Sequence, residues 1–129
     1  MSEAQNARDE AKALSERMLQ KIFYVVLTTP VKPMSELAEL LPQHLRYMID
    51  LEKRGILFAS GPFIADEHIA PGTGMTILRA SSREEAEAIA HEDPFNKSGM
   101  RTFEIRAWQL NEGSFTVTIN YSDQSYGIG

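Results

Sequence analysis

Hydrophobic runs of two kinds, strand-like and helical, divide the chain. Residues 22–29 (Ile-Phe-Tyr-Val-Val-Leu-Thr-Thr) are β-branched or aromatic at almost every position and predict a strand. Phe23, Val25 and Leu27 fall on one face and Ile22, Tyr24 and Val26 on the other, so both faces need cover. Ile56–Phe63 and Gly74–Arg79 predict strands two and three, the second closed by Gly61-Pro62 and the third preceded by an exposed turn at Pro71-Gly72-Thr73-Gly74. Thr102–Leu110 sets Phe103, Ile105 and Ala107 against Glu104, Arg106 and Trp108, the alternation of a fourth strand. Phe115, Val117, Ile119 and Tyr121 alternate with polar residues in a fifth, and the tail from Ser122 is expected to be mobile.

Helical spacing takes over between these runs. The loop Thr29-Pro30-Val31-Lys32-Pro33 is followed by a short turn that Ser35 caps through Leu40. A helix is then expected to begin at Pro42, a favoured first helical residue, and to stop at Gly55. Ser81 with Glu84 and Ser82 with Glu85 make two overlapping capping boxes. The helix they open buries Ala86, Ile89 and Ala90 and ends before Pro94. Ahead of the first strand, residues 3–20 are good helix formers with a thin apolar stripe at Ala7, Ala11, Leu14 and Met18.

The resulting order is βαββαβ with an additional helix before it and an additional strand after it. That is the ferredoxin-like α+β arrangement, an antiparallel sheet with both helices on one face. The expected organisation is an N-terminal helical extension over 1–21, the ferredoxin-like domain over 22–112, and a C-terminal strand and tail over 113–129. Two helices on one face leave the other apolar face of the first strand uncovered, so sheet-against-sheet homodimerisation is expected, with the fifth strand free to pair with the partner's edge.

Composition narrows the function classes. The 129 residues suit one domain. A net charge of -5, with no Lys/Arg run longer than Lys53-Arg54, argues against nucleic acid or an anionic membrane as partner. The absence of cysteine excludes disulfides, thiolate metal sites and Cys nucleophiles. No run approaches a bilayer span and the N-terminus lacks a signal peptide's apolar segment, which makes the cytoplasm the expected compartment.

Candidate chemistry gathers at one end of the fold. Right-handed crossovers bring the start of the first core helix and the end of the second to the same rim, where the ends of strands one and two deliver Thr28, Thr29, Ser60, Gly61 and Pro62. His44 falls inside the apolar arc of its helix, between Met48 and Leu51 on the helical wheel, and needs a polar partner there. Asp93 is the carboxylate that the topology brings near it, and a His–Asp pair has the parts for general acid–base work. Two plainer alternatives stand beside this one: a core histidine bonded to backbone, and an Asp that starts an Asx-Pro turn with Pro94.

The other polar clusters carry weaker signals. His91 suits the last turn of a helix as a surface residue. Asp66, Glu67 and His68 lack further ligands at metal-site spacing, so no metal and no cofactor are expected. Gly72-Thr73-Gly74 precedes a strand rather than the helix a phosphate loop requires, and Ser98 lacks a nucleophile elbow. Lys97 or Arg101, beside Asn96, could neutralise an anionic ligand at the rim.

His44-Leu45, Gly55 spaced from Gly61-Pro62, the Ser-Arg-Glu-Glu-Ala helix start and Asp93-Pro94-Phe95 together resemble the YciI-like (YCII-related) family over residues 22–112. The resemblance implies a dimeric α+β barrel of two ferredoxin-like subunits, with a His/Asp pair that maps onto His44 and Asp93. It makes a cofactor-independent lyase, isomerase or dehalogenation-type reaction on a small cyclic or aromatic metabolite the expected function. Ser60, Gly61, Pro62, Phe63 and Phe95 are expected to shape the substrate pocket. The alternative expectation is a non-catalytic dimeric module for small-molecule binding or an accessory role.

Overall fold

The β-branched run at the start of the core becomes the central strand, β1 (Lys21–Pro30), in a computed structural model that describes residues 2–129. It is followed by α2 (Met34–Lys53), β2 (Leu57–Pro62), β3 (Gly74–Leu78), α3 (Arg83–His91), the single-turn α4 (Pro94–Lys97) and β4 (Arg101–Leu110). A helix α1 (Glu3–Ser15) precedes this set, and two short strands, β5 (Val117–Ile119) and β6 (Tyr126–Ile128), follow it. The core sheet has the order β2-β3-β1-β4, the ferredoxin-like order.

The core lies between the helices and one face of this sheet. Val26, Leu78 and Ile105 from the strands pack with Met48 and Leu51 from α2 and Ala86 and Ala90 from α3, all buried. Alternation along β1 then puts Phe23, Val25 and Leu27 on the opposite face. There Phe23 meets Phe58 at 4.5 Å and Trp108 at 6.1 Å between ring centroids. Val25, Leu27, Met75, Ile77, Ala107 and Trp108, with Arg106, line a mostly apolar concavity of about 350 Å³.

Strand register fixes which residues share a row. Thr28 pairs with Gly74 and Gly74 with Pro62; Val26 pairs with Thr76 and Thr76 with Ser60. Both rows face the helices, because Val26 does. A Cβ on Gly74 would approach Gly61 O at 3.3 Å and Thr28 Oγ1 at 3.4 Å, so the row closes tightly around a residue without a side chain.

Besides the unexpected single turn α4, the helices differ from expectation in two places. No break falls at Pro42: α2 is continuous from Met34, with the carbonyl of Pro33 accepting the Leu37 amide at 3.2 Å. An interior proline removes one ladder bond and is costly on its own. The stripe Leu37, Leu41, His44, Met48, Leu51 nevertheless runs in phase through it, and the burial of Leu37, Met48 and Leu51 favours one helix. His44 is therefore a mid-helix residue and not the mouth of a helix.

The second difference is at the start of α3. Ser82 is the N-cap and accepts the Glu85 amide, but the Glu85 carboxylate returns to the amide and hydroxyl of Ser81. Ser81 is thus paired with Glu85 and not with Glu84.

The chain divides into two compact units, one spanning residues 22–109 and the other built from the segment up to residue 21 with 110–129. In the second unit, α1 buries no residue, and the Leu19 amide reaches Asn111 O at 3.2 Å. The tail from Ser122 is not a loose end. It returns as β6 against β5, with Val117 opposite Ile128 and Ile119 opposite Tyr126. Asp123 holds the turn by accepting the Ser125 amide at 3.0 Å. The fifth strand is therefore paired within its own chain. Among the described residues, no helix is long and apolar enough to cross a membrane.

Candidate active site

A cleft of about 400 Å³ opens between α2 and the sheet, at the end of the strands where the Thr28–Gly74–Pro62 row lies. The helix contributes Leu41, His44, Leu45 and Met48, Asp93 comes from the turn after α3, and Arg101 from the start of β4. Ser60, Gly61, Pro62 and Thr76 complete its sheet side. The Ser60 and Thr76 hydroxyls lie 2.8 Å apart, bonded to each other across the strands.

His44 and Asp93 meet in this cleft. Nδ1 of His44 lies 2.9 Å from Oδ2 and 3.0 Å from Oδ1 of Asp93, with the two side chains only 15% and 10% exposed. Asp93 also serves the backbone: it is the N-cap of α4, and Oδ1 accepts the Phe95 amide at 3.0 Å. The Asx-Pro turn and the His partnership therefore coexist in one carboxylate. With Nδ1–H donated to Asp93, Nε2 is the imidazole nitrogen left to exchange a proton.

Phe95 is the platform beneath the site. It is 1% exposed, its ring lies 4.7 Å from the His44 ring, and the Arg101 guanidinium sits over it at 4.3 Å. One buried ring thus holds both the imidazole and the cation. Phe95 underlies the site rather than lining the cleft. Phe63 lies outside the cleft as well; with Ala59, Ser60, Gly61 and Pro62 it borders a neighbouring depression of about 250 Å³. Of the expected pocket residues, Ser60, Gly61 and Pro62 share the cleft with His44 and Asp93.

Backbone capping sets Arg101 in place. Gly99, at φ +81, closes α4 with its amide on Asn96 O at 3.1 Å, and the Met100 amide returns to Phe95 O at 3.0 Å, a Schellman closure that favours glycine. The Val31 amide then bonds Met100 O at 2.9 Å, so the residue before Arg101 is tied at both its amide and its carbonyl. Burial pushes the Arg101 guanidinium down from its ordinary value, and the nearby Asp93 charge opposes that shift.

Tyr47, one turn along α2, donates to Ile89 O at 2.6 Å and ties α2 to α3 beside the pair. Burial, and secondarily the charges of Asp93 and Glu92, push its phenol up to about 12.

The remaining candidates lie elsewhere. His91 and His68 are exposed beside Glu92 and Glu67, Lys97 pairs with Glu92 at 3.0 Å, and the Ser98 hydroxyl donates to Phe95 O. Among the described residues, no group of three His, Asp or Glu side chains is placed to hold a metal ion. Thr76 was not singled out in the sequence. Pairing Gly74–Leu78 against β2 would have found it.

Residues 22–109 match the YCII-related domain family, and the chain belongs to that family. No curated protein matches the sequence. Among solved structures, the fold is similar to that of 5-chloro-2-hydroxyhydroquinone dehydrochlorinase from Burkholderia phenoliruptrix AC1100 in complex with 2,5-dihydroxybenzoquinone. The TM-score is 0.55 at 18% identity, covering 68% of this chain and 93% of that one. At that identity the likeness speaks to the fold.

Proposed function

We propose that this member of the YCII-related domain family is a cofactor-independent enzyme that moves protons on a small cyclic or aromatic metabolite. His44 is its general acid–base and Asp93 its orienting carboxylate. The observation that carries this reading is the contact of His44 Nδ1 with Asp93 at 2.9 Å in an open cleft. Asp93 fixes the tautomer by accepting Nδ1–H, and its charge favours the imidazolium that forms when Nε2 takes a proton. The proton leaves a C–H or O–H of the substrate, and the freed electron pair shifts through the ring. Either a leaving group such as chloride departs with its bonding pair, or the proton returns at another carbon. The first outcome is elimination and the second isomerisation. The dehydrochlorinase similar in fold makes elimination the class to test first.

Homodimerisation through the uncovered apolar sheet face, in a cytoplasmic setting, belongs to the same reading. The concavity lined by Val25, Leu27, Met75 and Trp108 supports it, since a face of this kind favours a partner over water.

The test is a turnover screen on chlorinated hydroxyhydroquinones and unsaturated lactones. It follows chloride release and deuterium uptake from heavy water in wild type and in His44→Gln. Turnover that falls about 10²–10⁴-fold in the folded variant supports the reading. The second reading, a binding or accessory module, draws on Asp93's role as the α4 cap. Absence of turnover across the panel, with His44→Gln altering stability alone, would favour it.

A further inference from the structure

Arg101 is a half-buried cation without a counter-ion. Among the described residues it forms no salt bridge, whereas Arg54, Arg83 and Arg106 each reach a carboxylate. Its Nε is buried with no acceptor. Asp93, the nearby carboxylate, is already engaged by His44 and the Phe95 amide. Removing a guanidinium from water without pairing it is unfavourable. Here the cost is only partly offset by the Phe95 ring, over which the cation is stacked at 4.3 Å. In a chain with 18 acidic residues, leaving this position unpaired is conspicuous, and the position opens onto the same cleft as His44. The two capping bonds of α4 and the Val31–Met100 bond hold the start of β4 in place, so the cation is presented from a fixed support.

We infer that Arg101 is the anion-binding residue of this cleft and that its ligand is a small organic anion, a ring bearing a carboxylate or an ionised phenolic oxygen. The anionic oxygen lies on the guanidinium and the reacting proton faces His44. The shared Phe95 platform sets the spacing between the two, so a flat ring can address both groups at once. Arginine suits this role because its planar fork binds carboxylate-like oxygens in a fixed geometry and keeps its charge at neutral pH. The inference rests on the proton-transfer reading for the orientation of the ligand, but the binding claim can be tested without turnover.

The experiment measures binding of benzoate, salicylate and 2,5-dihydroxybenzoquinone, with benzamide as the neutral isostere of benzoate. It uses NMR of the full-length protein, including the Arg101 Nε–H signal. The aromatic anions are expected to shift that signal and the amides of Gly74 and Phe95, and benzamide to bind at least about tenfold more weakly. Arg101→Met, which keeps an apolar stem over Phe95, is expected to lose the anion preference. Arg101→Lys, which keeps the charge, should retain part of it, so a folding defect in one variant does not decide the outcome.

Equal binding of benzoate and benzamide by wild type, failure of all three anions to move the Arg101 signal, or an undiminished preference in folded Arg101→Met would overturn the inference. Its failure is separable from that of the proton-transfer reading. His44-dependent turnover of neutral substrates without anion preference sinks only the Arg101 assignment. Arg101-dependent anion binding without His44-dependent turnover sinks only the acid–base role.

Discussion

Replacing His44 by alanine strips a buried carboxylate of its Nδ1–H donor. Asp93 is 7% exposed as a residue, and after the change only the Phe95 amide still donates to it. Leaving a buried acceptor without its donor costs about 1–3 kcal/mol. Asp93→Ala leaves the His44 Nδ1–H without its acceptor and also uncaps α4, which adds about 1 kcal/mol. In the double variant the mutual interaction is already gone, so its loss of stability should fall short of the sum by about 1.5–3 kcal/mol, the net worth of a hydrogen bond to a charged group. Urea unfolding at neutral pH and one fixed protein concentration measures all four corners of this cycle, with constant slopes required across the set. Asp93→Asn, which keeps an acceptor for the Phe95 amide, separates the cap from the charge. A coupling below about 0.5 kcal/mol would refute the idea that the contact is energetically real in solution.

Three further outcomes follow. Because Tyr47 titrates near 12 in the fold against an ordinary 10.0, the stability it holds is full below pH 10 and is lost as pH rises toward about 12; phenolate absorbance should show one late tyrosine that Tyr47→Phe removes. Gly99→Ala forces a side chain into the left-handed region and should destabilise by about 1 kcal/mol, while loosening Arg101 enough to weaken the anion preference. Leu27→Glu puts a charge on the uncovered sheet face and should convert a dimer to a monomer in sedimentation; a monomeric wild type would end the dimer proposal.

Much of this site could be read from the chain because it depends on topology. The β-branched run at 22–29, the serine caps before α3 and the stop at Gly55 set the order of elements, and the right-handed crossover rule then placed His44 near Asp93. Gly55 does close α2 as expected, at φ +76, with the Ile56 amide returning to Leu51 O.

What escaped the sequence depends on tertiary context. Pro42 reads locally as a helix start, and only the burial of Leu37 on the same stripe as Met48 and Leu51 makes it an interior residue. Tyr126–Ile128 is too short and glycine-broken to announce a strand, and it becomes one because Val117–Ile119 is there to pair with it. Phe95 could be placed near the site but not aimed, since burial beneath a neighbouring ring leaves no local mark, and Phe63 is instead exposed at the neighbouring depression. Arg101 could be named as a possible anion neutraliser, yet its lack of a salt bridge among the described residues and its buried, unpaired Nε are visible only in three dimensions.

The central claim is that His44, held by Asp93, transfers protons in this cleft. The most direct measurement is the pH dependence of kcat/KM for wild type and His44→Gln on the same turned-over substrate. Wild type should show a pH-dependent kcat/KM, and the variant should be about 10²–10⁴-fold slower with that dependence gone. A folded His44→Gln enzyme with the wild-type rate and the same pH profile would contradict it.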